Sequence, residues 1–487
     1  VLMTPLPEYV PAPGELVEFR VPEEAVERAA KAPEHPAPPS YVQENHILRR
    51  LANSAAGRPQ SPWLGIVFDL PGRLDTTAFA AALHTWVLRH RTLLTWFSVH
   101  ESGAADQGTP LLRRHEVPEE SVAVEAVPLG AQSVEAVHRH VTETFGSRTD
   151  PLVWPPFTAS AVVREEGPST VFFAVDHAHT DGFSMILVFA ELRALYEAQL
   201  AGTEAELPEV GSYVDACALD RERAAAIRPD SPEVKSWIDF FLGGPMPSFP
   251  LDLGVPPGES RPSLSIELDL LTADQAEAFS KACKAQGASF SAGLLTALGI
   301  TASELAGRPD YRSLAVVHTR DEPRWQFTQG WFINLVPVAF PVSPGGTALG
   351  FGEILRGAAG AYAAARELAL VSPLRVAELI PGVSLQSDAS TVLPMLSYLD
   401  LRHAPGSRDW EAADCNALVG PGPSSEVPIW INRLWDRTYL KTRYPDTPEA
   451  RENVPRYFAH LKRVLGEIAA HGDYRFTAAG QRTPTEV

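Results

Sequence analysis

The stretch Val175-Asp-His-Ala-His-Thr-Asp-Gly182 sets two histidines and two aspartates within six residues and closes them with a glycine. Three chemistries could use such a set. Histidines two apart could begin a metal site, but no third-ligand motif accompanies them. A histidine whose ring is held could serve as a general base. The polar residues could also just end a strand before a helix, with Asp181 as N-cap and Gly182 in the turn. Two features favour the base. An apolar run, Val171-Phe-Phe-Ala174, reads as a buried strand that delivers His177 to its end, with a helix from Phe183 directly after. A base on such a rigid element is better preorganised than one on a free loop. In addition, a short loop that returns Asp181 can brace the turn through an arginine. Asp181 is then architectural and carries no proton. On a strand His179 shares a face with His177 and is the alternative base.

The surrounding elements follow from pattern and punctuation. Trp63 to Leu70 reads as a strand and Pro71-Gly72 as a turn, and Asp75 caps a helix with Phe79, Leu83 and Val87 on one stripe. Gln132 to Phe145 reads as a helix and Val171 to Asp176 as a buried strand. Phe183 to Leu200 is a long helix. Further on, Ser231-Pro232 opens a helix and Ser263 to Leu270 alternates as a strand. Thr272-Ala-Asp-Gln275 is a capping box, and its helix ends near Gly287. Ser291 to Leu305, apolar on most sides, predicts a buried helix. Leu314 to Thr319, Phe332 to Phe340, Val392 to Leu399, Val427 to Asn432 and Tyr439 to Arg443 are strand candidates. Helices are expected over Phe351 to Leu368 and from Thr447-Pro448 toward Gly472. Each half mixes strands and helices without strict alternation, which predicts an α+β protein of two lobes. The division expected is a proline-rich irregular leader over 1–40, a lobe over 41–205 and a lobe over 206–487.

The 487 residues suit about two domains, and an apolar share of 45% is ordinary for a globular chain. A net charge of -19 argues against nucleic acid and anionic membrane surfaces as main partners. No run of about 18 apolar residues occurs, so no membrane span is expected. The N-terminus lacks the basic and apolar regions of a signal peptide. The three cysteines, Cys217, Cys283 and Cys415, are scattered and odd in number, which fits a reducing cytoplasm and not a structural zinc site. Neither G-x-G-x-x-G nor G-x-x-x-x-G-K-[ST] nor G-x-S-x-G occurs, which disfavours dinucleotide, P-loop and ordinary serine-hydrolase chemistry.

The motif resembles the H-H-x-x-x-D-G signature of nonribosomal peptide condensation domains, whose superfamily includes polyketide-associated acyltransferases and chloramphenicol acetyltransferase. In that register His177 matches the second, catalytic histidine and is preferred over His179 as base. Asp181 and Gly182 match the D-G, and Asp176 replaces the more variable first histidine. Other stretches are similar, in order: Gln43-Glu-Asn-His46, Arg89-His-Arg-Thr-Leu-Leu-Thr95, Tyr213-Val-Asp215, Trp237 to Asp252, and Gln329-Gly-Trp-Phe-Ile-Asn-Leu-Val336. Leu94 stands where the family usually has the arginine that helps hold the motif aspartate. Arg89 or Arg320 must then take that role, with Arg320 preferred because it ends an expected strand.

The resemblance implies two chloramphenicol-acetyltransferase-like lobes in a V with a central tunnel. A thioester donor and a nucleophile meet there at His177, and Asp176, His179, Trp331 and Asn334 line the tunnel. The Gly182 N–H and the Asn334 side chain are candidate oxyanion donors. No cofactor is expected to be bound. The acyl thioester, on coenzyme A or on the phosphopantetheine of a carrier protein, is a co-substrate supplied in trans. The acceptor is a small alcohol or amine, the product an ester by family analogy, the setting secondary-metabolite or complex-lipid assembly, and the protein a monomer. Amide formation on carrier-bound aminoacyl donors is the runner-up. A catalytically silent recruiting module and an epimerase-like relative are the other readings.

Overall fold

Two runs rich in β-branched and aromatic residues, Trp63–Leu70 and Ser169–Asp176, pair antiparallel at the centre of a seven-stranded sheet. Ser169–Asp176 is buried at every residue, which is why it reads as an unbroken apolar run and not as an alternation. Phe172 and Ala174 pack with Val137, Val141 and Phe145 of helix Val134–Ser147. Phe173 meets Trp86 of helix Thr76–Arg89 edge to face at 5.2 Å. Phe68 meets Phe189 of helix Gly182–Ala201 at 5.3 Å. The computed structural model describes residues 2–58, 60–100, 111–347, 349–383 and 394–475.

The sheet runs Leu2–Pro5, Asn416–Val419, Trp63–Leu70, Ser169–Asp176, Phe157–Val163, Gly14–Arg20, Glu125–Gln132. The leader is therefore not irregular. Gly14–Arg20 is an internal strand, paired with both Glu125–Gln132 and Phe157–Val163. Its pattern was hidden by Glu18, which is buried and ion-paired with Arg20 and Arg148, with His140 Nε2 3.2 Å away.

Residues Val1–Ala225, Arg320–Phe332 and Ala404–Pro421 form one compact unit; Ala226–Thr319, Ile333–His403 and Gly422–Val487 form the other. The first unit thus extends past residue 205, because Tyr213 and Cys217 of helix Tyr213–Ala226 pack with Trp325 and Phe332 of a returning segment. The second unit has its own seven-stranded sheet, in the order Ile333–Pro341, Asp310–His318, Met395–Asp400, Ile429–Arg433, Arg437–Pro445, Arg261–Thr272, Pro423–Ser424. Helices Ala273–Ala285, Phe290–Ala306, Phe351–Arg366 and Pro448–His471 share its core. The Thr272–Gln275 capping box forms, and Phe290–Ala306 is buried continuously from Ala292 to Ser303. The expected strand from Val392 begins at Met395, and residues 392–393 lie outside the described residues. Among the described residues no single helix is long and apolar enough to cross a membrane.

Two helical glycines make opposite predictions. A Cβ at Gly293 would lie 2.4 Å from Cys283 Sγ and 2.8 Å from the Phe279 ring, whereas one at Gly466 meets nothing within 4 Å. Gly293→Ala should cost roughly 1–3 kcal/mol through overpacking, and Gly466→Ala should add up to about 1 kcal/mol. Urea denaturation of the two variants checks both signs.

Candidate active site

The strand carrying the motif ends at Asp176 for a local reason. The Asp176 carboxylate accepts the Ala178 N–H at 2.8 Å and starts a 3-10 turn over His177–His179. The turn is pinned from outside. The Asp176 N–H donates to Pro156 O at 3.0 Å, and the His177 N–H to Pro62 O at 2.8 Å. Gln43 Nε2 donates to Ala178 O at 2.7 Å. Gln43 is also the third residue of a capping box led by Ser40 and accepts from buried Arg114 at 2.9 Å, so the start of helix Tyr41–Ala55 and the motif turn are held by one side chain.

His177 is half-buried, with Nδ1 2.9 Å from Thr180 O. A carbonyl only accepts, so Nδ1 carries the proton and the neutral ring presents its lone pair at Nε2. Trp331 stacks on the ring at 3.9 Å and 27°. Burial first, and then the nearby His46, push His177 down to about 4. The ring is therefore neutral at pH 7, the form a base requires.

Asp181 is the N-cap of helix Gly182–Ala201. Its Oδ1 accepts the Ser184 N–H at 2.6 Å, and its Oδ2 the Phe332 N–H at 2.9 Å. Arg320 Nη2 lies 3.4 Å from Oδ2 and donates to Ser184 Oγ at 2.8 Å. Arg320 Nη1 donates to the carbonyls of Trp325 and Thr328, and Phe332 lies under the guanidinium at 4.3 Å. Gln329 completes the seam, donating to Ser184 O at 2.6 Å and accepting from Thr180 Oγ1 at 3.4 Å. Residues Arg320–Phe332 are thereby bound to the start of the motif helix. Gly330 must be glycine for this approach, since a Cβ there would fall 2.3 Å from Tyr213 Cγ. At Gly182 a Cβ would meet nothing within 4 Å, so the space beside the helix start is open.

Four expectations are corrected. Arg89 does not reach Asp181. It pairs with Glu191 at 3.2 Å, as does His90 at 2.7 Å, and Trp86 Nε1 donates to the same carboxylate at 2.7 Å. The R-H motif thus anchors the one acid buried within the motif helix. Asp176 lines no substrate surface. It is 0% exposed and bound by His46 and Arg50, each at 3.0 Å. His179 is also 0% exposed, with Nδ1 2.9 Å from Thr92 O and Nε2 buried without a hydrogen-bond partner, so it is not presented as a base. Asn334 belongs to the second unit. Its amide donates to the Ala369 and Val371 carbonyls and its Oδ1 accepts from Leu335 N–H, leaving no donor for an oxyanion.

Glu191, Arg114, Arg50 and the contact of His46 escaped the sequence reading. Ser40-Tyr-Val-Gln43 is a legible capping box. Glu191, a lone acid in an apolar helix, signals a buried charge in need of partners. His46 and Arg50, four apart, share a helix face. Among the described residues no cluster of three or more His, Cys, Asp and Glu side chains could hold a metal ion.

A histidine-bearing turn between a buried strand and a long helix, its aspartate locked by an arginine, in a chain of two mixed sheet-and-helix units, defines a condensation-type acyl-transfer protein. The family model described as "Condensation domain" matches residues 54–358, and the chain belongs to that family. Acyltransferase PapA3 of Mycobacterium tuberculosis is 30% identical over 482 residues, covering 97% of this chain and 98% of that protein. Trehalose-2-sulfate acyltransferase PapA2 of Mycobacterium bovis is 29% identical over 471 residues, covering 95% and 96%. The solved structure of the PapA2 acyl transferase superposes with a TM-score of 0.83 at 28% identity, over 96% of this chain and 100% of that one. The first condensation domain of the CDA synthetase shares the fold, with a TM-score of 0.66 at 18% identity over 91% of this chain and 97% of that one. The chain is an acyltransferase of this family.

Two outcomes follow. Arg320→Lys keeps the charge but cannot span Asp181 and the two carbonyls, and should cost about 2 kcal/mol. Asp181→Ala strands a buried guanidinium and should cost roughly 3–5 kcal/mol. Denaturant titration measures both. The second concerns acid. His179 is pushed down to about 4 by burial, while the unfolded chain protonates it near 6.5. Its contribution to stability is full above about pH 6.5 and declines as pH falls toward 4. Melting curves from pH 7.5 to 4.5 should fall less steeply for His179→Asn, which keeps a donor for Thr92 O and cannot titrate.

Proposed function

We propose that the protein transfers an acyl group from a thioester to a hydroxyl, with His177 as general base. The observation that carries this is the fixed tautomer of His177: Nδ1–H is engaged by Thr180 O, and Nε2 makes no hydrogen bond to any described residue. An acceptor hydroxyl gives its proton to Nε2 as its oxygen attacks the thioester carbonyl. The tetrahedral intermediate collapses, the C–S bond breaks, and the thiolate takes the proton from the imidazolium. Ester and free thiol leave, and the ring is neutral again. No covalent enzyme intermediate is required, because the donor is already activated. The Gly182 N–H, at the open start of the motif helix, is the candidate oxyanion donor.

The donor is an acyl group on coenzyme A or on a carrier protein, supplied in trans. A hydroxyl acceptor, giving an ester, is favoured over an amine by the relatives this chain resembles. The relatives named for trehalose sulfate and for 2'-acyl-2-O-sulfo-trehalose support a polyhydroxy acceptor in complex-lipid assembly. The buried free thiols Cys217, Cys283 and Cys415 support work in a reducing compartment.

Thiol release from acyl-coenzyme A in the presence of trehalose, glycerol and simple alcohols tests this. His177→Ala should lower acceptor-dependent release by about 10²- to 10⁴-fold, and His179→Asn should leave most of it. Wild-type kcat/KM should stay level down to about pH 5 and then fall with the titration of a base near 4. Equal release by wild type and His177→Ala would remove His177 from the mechanism.

A further inference from the structure

The motif's first histidine is absent from the sequence, yet a histidine stands beside His177 in space. It is His46, from helix Tyr41–Ala55. Its ring centre lies 5.9 Å from that of His177, and Trp331 bridges the two, stacked on His177 and edge-on to His46 at 5.4 Å. His46 Nε2 is 3.0 Å from Asp176 Oδ1. The carboxylate only accepts, so Nε2 carries a proton, and in the neutral form of the ring the lone pair lies at Nδ1. That nitrogen makes no hydrogen bond to any described residue. It is also not among the buried unsatisfied atoms, and the side chain keeps 14% of its exposure.

Asp176 does not need this particular donor. Its Oδ1 is already met by the Ala178 N–H at 2.8 Å and its Oδ2 by Arg50 at 3.0 Å. Arg50 is fixed in turn by Thr149 O at 2.9 Å and Asp150 at 3.2 Å. The result is a buried anchor for an imidazole whose Nδ1 makes no hydrogen bond to any described residue. Two rings 5.9 Å apart can each hold one of two neighbouring hydroxyls, since each hydrogen bond spans about 2.8 Å.

We propose that His46 is a second acceptor-binding residue: Nδ1 takes a hydrogen bond from a hydroxyl adjacent to the one that attacks, while Asp176 fixes the ring through Nε2. This rests on the reading that an acceptor hydroxyl meets His177. Asp176 is then a positioning residue, and the exchange of the motif's first histidine for aspartate is matched by a histidine on another helix.

The test separates the two nitrogens. In His46→Gln the side-chain amide can still donate to Asp176 but offers nothing at the Nδ1 position. The readout is the partition of palmitoyl-coenzyme A between trehalose ester and free palmitate, with water as the competing acceptor at subsaturating trehalose. The expected result is an unchanged melting temperature and a shift of about tenfold toward free palmitate, the size of one lost hydrogen bond. His46→Ala should show the same shift with a lower melting temperature. A wild-type partition in His46→Gln overturns the proposal, because the Asp176 contact is then all that His46 supplies. An equal loss of ester and of hydrolysis also overturns it, because His46 then acts on His177 and not on the second hydroxyl. If the wild type forms no ester with trehalose, glycerol or 1-hexanol and matches His177→Ala, the transferase reading fails, and this one with it.

Discussion

One carboxylate holds the site together. Asp181 accepts from two backbone N–H groups, those of Ser184 and Phe332, and faces Arg320. The first bond caps the motif helix. The second ties in a segment more than a hundred residues away, and the arginine binds that segment's own carbonyls. Remove the charge and a buried guanidinium is left beside an uncapped helix, so the turn bearing His177 and the Trp331 that stacks on it lose their common anchor. The aspartate needs no contact with a substrate to be indispensable. It fixes where His177 and Trp331 meet.

What was legible in the sequence follows from this division of labour. The strand, the turn and the long helix announced themselves through apolar period and N-cap chemistry, and the H-x-x-x-D spacing placed base and brace together. Arg320 could be anticipated as a brace because it follows a strand. The facing of Asp176 and His179 could not be read from alternation. The chain leaves the strand at Asp176 and enters a 3-10 turn, in which residues two apart point about 120° away from each other. His177 is therefore left half-exposed while His179 turns inward to Thr92. The leader strands were obscured by prolines and by a buried glutamate, one of whose partners, Arg148, lies far along the chain. Asn334 was misread because a side-chain amide near a motif looks the same whether it serves a ligand or backbone carbonyls.

The basicity of His177 is set by what it lacks. Its Nδ1 meets a carbonyl and not a carboxylate, so nothing on that side stabilises the imidazolium strongly. Burial favours the neutral ring further. The ring therefore stays unprotonated across the neutral range.

Two aspartates near a histidine would ordinarily raise its pKa and risk holding it protonated. Here both carboxylates have partners of their own: Asp176 has Arg50 and His46, Asp181 has Arg320 and two N–H groups. Burial alone would raise Asp176, but these partners outweigh it and hold the carboxyl below its ordinary range. The pull of Asp176 and Asp181 on His177 is thereby smaller than the combined effect of burial and His46, and the ring settles low. The motif can therefore carry D-H-x-x-x-D without turning its histidine into a permanent cation, provided each acid brings its own arginine. On this argument Arg50 and Arg320 answer the same requirement at the two ends of one turn.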